Sequence, residues 1–451
     1  MSEEYLLLLV IEFTFSRKVF ITQLYSRASK VLIMIQHAKP IGFEKGYVKS
    51  LKCRECGREY PPTKIYACEH CFAPLEVIYD FDYITLNKGL IKNRDKTLWR
   101  YRELLPINDY EKIVDIGAGF TPLKECKRLA EALNLRRIYV KNDTVNPTGS
   151  FKDRPASVAV SKALELGFRT VGCASTGNLA AATAAHAAKA GLPCYVFIPS
   201  STEKSKVLQA AAYGAKIIAV KGTYDDANRL AAQASDEYEW ALVNINIRPY
   251  YVEGSKTIAF EVCEQMEWRA PENIVVPMGS GALLCAVWRA LKQLYEIGLI
   301  EGLGTRLIGA QPEGCSPIVQ AFKSKHEEVF PVEKPKTVAK SLAIGDPGDG
   351  IYALKAIRES EGFAEYATDE EIVEGMKLLA KTEGIFAEPA GGVSIAVLKK
   401  LIEQGEISRD EEVVCLITGS GFKSLEIFSS YTFGVVEIAP DFNHLKDAIS
   451  S

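Results

Sequence analysis

From about Asp115 onward the chain alternates short apolar runs with longer stretches of helical periodicity. The runs at 171–174, 194–199, 216–221, 241–244, 273–277, 306–310 and 412–417 are flanked by turn residues, and 135–141 has the same strand character. Between most of them lie patterns of period 3.6, at 155–166, 179–190, 204–213, 225–238, 254–266 and 283–297. Such alternation predicts βαβ units and an α/β fold around a buried, mostly parallel sheet. Ligands on such sheets bind at the carboxyl ends of the strands, so the strand-to-helix turns become the candidate site.

Four of those turns stand out. Asn146-Pro147-Thr148-Gly149-Ser150-Phe151-Lys152-Asp153-Arg154 breaks a strand and delivers Lys152 against a first helical turn. An amine held near helix N-terminal dipoles and apolar packing is penalised when charged, which favours a nucleophilic free base suited to imine chemistry. The plain alternative is a surface lysine satisfied by Asp153. Ser175-Thr176-Gly177-Asn178 offers hydroxyls, an amide and backbone N–H groups to a carboxylate. Gly279-Ser280-Gly281-Ala282-Leu283 lets backbone N–H groups approach a phosphate before a helix begins. Thr418-Gly419-Ser420-Gly421-Phe422-Lys423 ends the last strand with a hydroxyl and two glycines.

Cys53-x-x-Cys56 and Cys68-x-x-Cys71, with eleven residues between the pairs, can present four thiolates to one tetrahedral ion. Structural zinc is the reading preferred, with His70 as a competing ligand and two disulfides as the alternative. Four thiolates leave no open position on the metal, so no catalysis is expected there.

Composition narrows the classes. At 451 residues the chain is longer than one core usually supports, so more than one domain is expected. A net charge of −3 gives no bulk attraction to nucleic acid or anionic membrane. Eleven cysteines, seven of them scattered through apolar segments, suit reduced core thiols and a cytoplasmic setting. The apolar stretch 5–15 is too short to span a bilayer and lacks a basic flank and cleavage site. Either it packs as an extra hydrophobic segment or translation begins near Met34, the second being favoured.

From about Lys49 to Ala439 the chain resembles threonine synthase, a pyridoxal-phosphate enzyme family of the tryptophan-synthase-β fold type whose archaeal and some bacterial members carry a zinc-ribbon-like segment. The shared residues include Gly-Ser-Phe-Lys-Asp-Arg at 149–154, Ser-Thr-Gly-Asn at 175–178, Arg-Pro-Tyr-Tyr-x-Glu-Gly-Ser-Lys-Thr at 248–257 and Ala-Gly-Gly-Val at 390–393. The resemblance implies two α/β domains behind a small N-terminal zinc ribbon. Residues 1–48 would be an extension, 49–85 the ribbon, 86–152 with 247–440 the large cofactor-binding domain, and 153–246 a smaller inserted one. The segment 312–349 would be a lid or interface element, and a homodimer is the usual assembly.

By the same resemblance Lys152, beside Phe151, forms the internal aldimine with pyridoxal 5'-phosphate. Asn178 bonds the ring 3-oxygen, Gly279, Ser280, Gly281, Ala282 and Leu283 cradle the cofactor phosphate, and Thr418 faces the pyridine nitrogen. Ser175 and Thr176 would take the substrate carboxylate, and Asn244, Arg248 and Lys256 its phosphate. The implied reaction converts O-phospho-L-homoserine and water to L-threonine and phosphate by α-proton abstraction, γ-elimination and water addition at the β-carbon. Ser420 stands where the commoner family pattern has histidine, which leaves the substrate open. Cysteate synthesis or sulfhydrylation on O-phosphoserine comes second, then threonine dehydration, with a cofactor-bound scaffold as the non-enzyme alternative.

Overall fold

The computed structural model describes residues 47–175, 177–202, 207–428 and 435–450. Residues 1–46 of the extension with its apolar stretch, Thr176, and the start of the helix expected at 204–213 lie outside them.

The strands in chain order are β1 Val48–Cys53, β2 Glu59–Tyr60, β3 Leu75–Tyr79, β4 Leu123–Glu125, β5 Arg137–Asn142, β6 Val171–Ala174, β7 Cys194–Pro199, β8 Lys216–Val220, β9 Ala241–Leu242, β10 Asn273–Pro277, β11 Arg306–Pro312, β12 Phe363–Ala367 and β13 Glu412–Ile417. They form three sheets. A small antiparallel one runs β2-β1-β3, a four-stranded parallel one β8-β7-β6-β9, and a six-stranded one β12-β11-β10-β13-β5-β4, parallel except for β4.

Burial differs among the strands that the apolar runs disclose. Every residue of β6, β10 and β13 is buried, as expected of strands covered by helices on both faces, whereas β8 at a sheet edge is half open. The run expected at 241–244 is a strand only over Ala241–Leu242. Beyond it the Asn244 side chain pairs with the Ala174 backbone at 3.4 and 3.5 Å, prolonging the contact with the end of β6.

The helix expected at 254–266 is two helices, Arg248–Gly254 and Thr257–Gln265. Pro249 opens the first, where a missing N–H costs nothing. Gly254 closes it against the start of the helix Asp153–Glu165, where a Cβ would lie 2.4 Å from the Arg154 carbonyl oxygen. That contact sets Arg248–Gly254 beside Lys152. The segment 312–349 contains a helix, Pro317–Lys323, and runs on over Gly279, where Ile344 Cδ1 lies 3.1 Å from the position a Cβ would take.

Among the described residues no helix is long and apolar enough to cross a membrane.

Candidate active site

Three neighbouring parallel strands of the large sheet, β10, β13 and β5, end at one edge. Thr418 follows β13, Gly279 follows β10, and the turn carrying Lys152 follows β5. Backbone bonds knit the first and last of these together. Phe151 N–H donates to the Thr418 carbonyl at 2.8 Å, Ser420 N–H to Gly149 at 2.9 Å, and Glu388 N–H to Gly419 at 2.9 Å. Lys152, Thr418 and Glu388 therefore share one floor although up to 266 positions separate them.

Lys152 stands at the N-terminal boundary of the helix Asp153–Glu165, half-buried, and its Nζ donates to the Tyr251 hydroxyl at 3.1 Å. Nζ lies 4.6 Å from the Phe151 ring centre. Asp153 does not partner it: that carboxylate is buried and accepts from Thr148 N–H and Oγ1 at 2.8 and 2.9 Å, fixing the turn that aims the lysine. Burial, partly offset by these bonds, pushes Asp153 up to about 6.

Behind the turn, Arg154 is fully buried between Asp143 and Glu261. Its Nε lies 2.7 Å from Asp143 Oδ2, its Nη2 2.8 Å from Glu261 Oε2, and both its Nη groups meet threonine hydroxyls at 3.0 Å. Lys141 adds a second cation 2.7 Å from Glu261. Burial alone would raise the Glu261 carboxyl, but the two cations outweigh it and hold it near about 2. This network bolts the lysine-bearing helix to β5 and to the helix Thr257–Gln265.

Asn178 begins the helix Asn178–Ala190, and its Nδ2 donates to both oxygens of Glu388 at 3.1 and 3.0 Å. Glu388 is buried tightly against Gly419, where a Cβ would sit 2.3 Å from its Oε1, so a larger residue there would push the carboxylate aside. Desolvation raises the Glu388 carboxyl, opposed by Asn178, Lys423 and Lys152. Ser175 accepts from Gly177 N–H at 3.4 Å at the mouth of the same turn.

The Gly279–Leu283 turn enters the helix Ala282–Glu296, with Gly281 in the left-handed region at φ 88°. The orphan N–H groups of that first turn suit a phosphate. Thr418 is buried, and the next residue, Gly419, bridges to Ser150, whose Oγ is buried without a hydrogen-bond partner. An amine, a glycine turn at a helix start, an amide and an unpartnered hydroxyl fit a phosphorylated pyridine aldehyde.

Arg248 lies three residues before Tyr251 on one short helix, with its guanidinium on Asp349. Lys256 is the exception among the expected groups. It is fully buried, its Nζ shared by Glu253 at 2.6 Å, the Leu104 carbonyl at 3.0 Å and Gln293 at 2.8 Å, so it braces the helices and offers nothing to a phosphate. Conversely, Tyr251, Glu388, Ser150 and Lys423 belong to the site's surroundings without having been singled out. Lys423 ends the Thr-Gly-Ser-Gly-Phe-Lys run and donates to Gln209 at 2.8 Å.

The family model described as pyridoxal-phosphate dependent enzyme matches residues 114–419. Threonine synthase of Methanocaldococcus jannaschii is 44% identical over 399 residues, covering 88% of this chain and 98% of its own length. The chain belongs to the threonine synthase family of pyridoxal-phosphate dependent enzymes. Threonine synthase of Methanosarcina acetivorans is likewise 44% identical over 371 residues, covering 82% of this chain and 91% of its own. Among solved structures, diaminopropionate ammonia lyase from Escherichia coli superposes with a TM-score of 0.60 at 20% identity, covering 72% of this chain and 90% of that one, a likeness of fold.

The ribbon gathers the four cysteines into one cluster. Their sulfurs all lie within 4.8 Å of one another, with Cys53 to Cys71 at 3.4 Å and Cys56 to Cys68 at 3.6 Å, and all eleven cysteines are free thiols. Tetrahedral zinc at ordinary Zn–S lengths needs sulfurs about 3.8 Å apart, so the quartet fits that ion. Desolvation raises the Cys68 thiol, but the Tyr60 hydroxyl and backbone N–H groups of Cys71 and His70 outweigh it, bringing Cys68 to about 5.

Proposed function

We propose that the protein converts O-phospho-L-homoserine and water to L-threonine and phosphate. The observation that carries this reading is the likeness to threonine synthases over nearly their whole length. Pyridoxal phosphate, when bound, supplies the electron sink that makes an α-proton acidic. Lys152 Nζ is the group that removes and returns protons, and the Tyr251 hydroxyl at 3.1 Å orients it. Ser175 and Thr176 receive the substrate carboxylate, and Arg248 with Asn244 receives the phosphate. Thr418 meets the ring nitrogen with a hydroxyl, and Asn178 the ring oxygen.

The four-cysteine quartet holds structural zinc on this reading, and the enzyme is a cytoplasmic homodimer without nucleic-acid or membrane partners. The division into a ribbon at 49–85, a large domain at 86–152 and 247–440, and an inserted domain at 153–246 is supported by the sheets: β6 to β9 pair only with one another.

Phosphate release tests the reading, with O-phosphohomoserine and O-phosphoserine as substrates, the latter with and without sulfite. Threonine formation from phosphohomoserine alone is expected; turnover confined to phosphoserine overturns the assignment in favour of a cysteate synthase or sulfhydrylase. Lys152→Ala is expected to abolish turnover and the visible band of the bound cofactor. A wild-type protein that takes up no cofactor would favour the scaffold.

A further inference from the structure

A cavity of about 170 Å³ lies where the ribbon meets the helices Ala282–Glu296 and Gly350–Glu359. Arginines and lysines outnumber carboxylates in its walls, which include Arg54, Arg248, Ala282, Asp349 and Tyr352. There one carboxylate serves two guanidiniums. Asp349 Oδ1 is 3.2 Å from Arg54 Nη1, and its Oδ2 accepts from Arg248 Nη2. The trio keeps a net positive charge. Each guanidinium carries a fork of N–H donors, and Asp349 engages one nitrogen of each, leaving donors for a second anion.

Arg54 is held rigidly. It sits inside the Cys53–Cys56 knuckle, its N–H donates to Pro74 at 3.1 Å, and its guanidinium stacks 3.5 Å over the Tyr352 ring. Tyr352 in turn donates to Glu55 at 2.5 Å. Asp349 N–H donates to the Ser280 carbonyl at 3.0 Å, tying the trio to the glycine turn. Arg248 is a helical neighbour of Tyr251, whose hydroxyl meets Lys152. One short helix therefore carries both the Arg248 end of the pair and the hydroxyl that meets the reactive amine.

We propose that Arg54 is the second guanidinium of the subsite for the substrate's phosphate, paired with Arg248 across Asp349. The inference rests on the phospho-substrate reading above and goes beyond it, because it makes the ribbon a wall of the active site. Asp349 holds the two forks in place before a phosphate arrives. A dianion then takes the donors that Asp349 leaves over, and the trio's net positive charge offsets part of its charge without moving either arginine far.

The test uses holoenzyme of the wild type, Arg54→Ala, Arg54→Lys and Glu55→Ala, titrated calorimetrically with inorganic phosphate and assayed on O-phosphohomoserine. Arg54→Ala is expected to weaken phosphate binding and raise KM about tenfold, with kcat within about threefold and the cofactor spectrum unchanged. Arg54→Lys recovers part of the affinity. Glu55→Ala, which loosens the ribbon's contact with Tyr352 and leaves both arginines, stays within about twofold of wild type. If Arg54→Ala loses its cysteine-bound metal, Arg54→Gln carries the same comparison. Unchanged phosphate affinity in the arginine variants overturns the proposal, as does equal weakening in Glu55→Ala, or weaker cofactor binding with phosphate affinity intact. A wild type that binds phosphate through Arg54 without turning over phosphohomoserine defeats the substrate reading and leaves the subsite standing.

Discussion

The Asn178 amide nitrogen donates to both carboxylate oxygens of Glu388, at 3.1 and 3.0 Å, across 210 positions of sequence. The pair spans the two sheets, because Asn178 follows β6 and Glu388 lies against Gly419 after β13. It fixes which way the amide nitrogen faces. Glu388→Leu removes that anchor, and a lost orienting bond of about 1 kcal/mol corresponds to roughly fivefold weaker cofactor binding. Titration with pyridoxal phosphate followed by visible absorbance measures it. An unchanged dissociation constant would mean that Asn178 is oriented by something else.

Arg154 carries a larger consequence. Replacing it with Met strands the Asp143 and Glu261 carboxylates in a fully buried position, with Lys141 left as the neighbouring cation. Breaking a buried pair from one side costs about 3–5 kcal/mol. Urea unfolding of Arg154→Met is expected to lose that much stability; a loss below about 1 kcal/mol would mean that the network is replaceable by packing.

The strands with unbroken apolar runs were the legible part of the fold, the half-open edge strand Lys216–Val220 included. Val171–Ala174, Cys194–Pro199, Asn273–Pro277 and Glu412–Ile417 fall on the apolar runs that announce them. Phe363–Ala367 was not announced, because Glu365 interrupts its apolar run and points to Lys323. The helix Asp369–Glu383 does carry a local signal, a capping box between Thr368 and Glu371, but no apolar run flagged the strand before it. At the site, residues in strand-end turns were recoverable because turn chemistry is local. Glu388 and Tyr251 were not: one is a lone carboxylate before a proline and the other an aromatic in a helix, and each gains its position only from a partner about 100 or more residues away. Lys256 misled for the same reason, since a lysine in a shared motif does not disclose that Glu253 and Gln293 enclose it.

The close approach at Gly254 gives a prediction about positioning. A Cβ there would meet the Arg154 carbonyl oxygen at 2.4 Å and the Pro155 Cα at 2.6 Å, both backbone atoms that cannot swing aside. Gly254→Ala must separate the helix Arg248–Gly254 from the start of the lysine-bearing helix. Overpacking of this kind costs about 1–3 kcal/mol. The same displacement draws Tyr251 off Lys152, so kcat is expected to fall by about tenfold or more in protein that remains folded. Full activity with reduced stability would show that the Tyr251 contact is dispensable.

Two groups withdraw stability on acidification in different windows, while Asp153, raised from 3.8 to about 6, works in the opposite sense between those values. His186 is fully buried in the helix Asn178–Ala190, with Nδ1 2.9 Å from the Ala182 carbonyl and Nε2 without a partner. Burial brings it from 6.5 down to about 4, against the opposing pull of Ala182 and Asp115. Between those values the unfolded chain holds a proton that the folded one refuses, so stability rises with pH and is lost on acidification, by up to about 1.4 kcal/mol per pH unit. Glu261 acts lower: held at about 2 against an ordinary 4.5, it stabilises above 4.5 and surrenders that contribution as pH falls toward 2. His186→Leu removes the titrating ring and its unpartnered nitrogen at similar volume. Denaturation curves at pH 7, 6 and 5 are therefore expected to flatten in His186→Leu, while the further loss below pH 4.5 persists in both proteins. Parallel slopes for the two proteins between pH 7 and 5 would mean that His186 takes up its proton without unfolding.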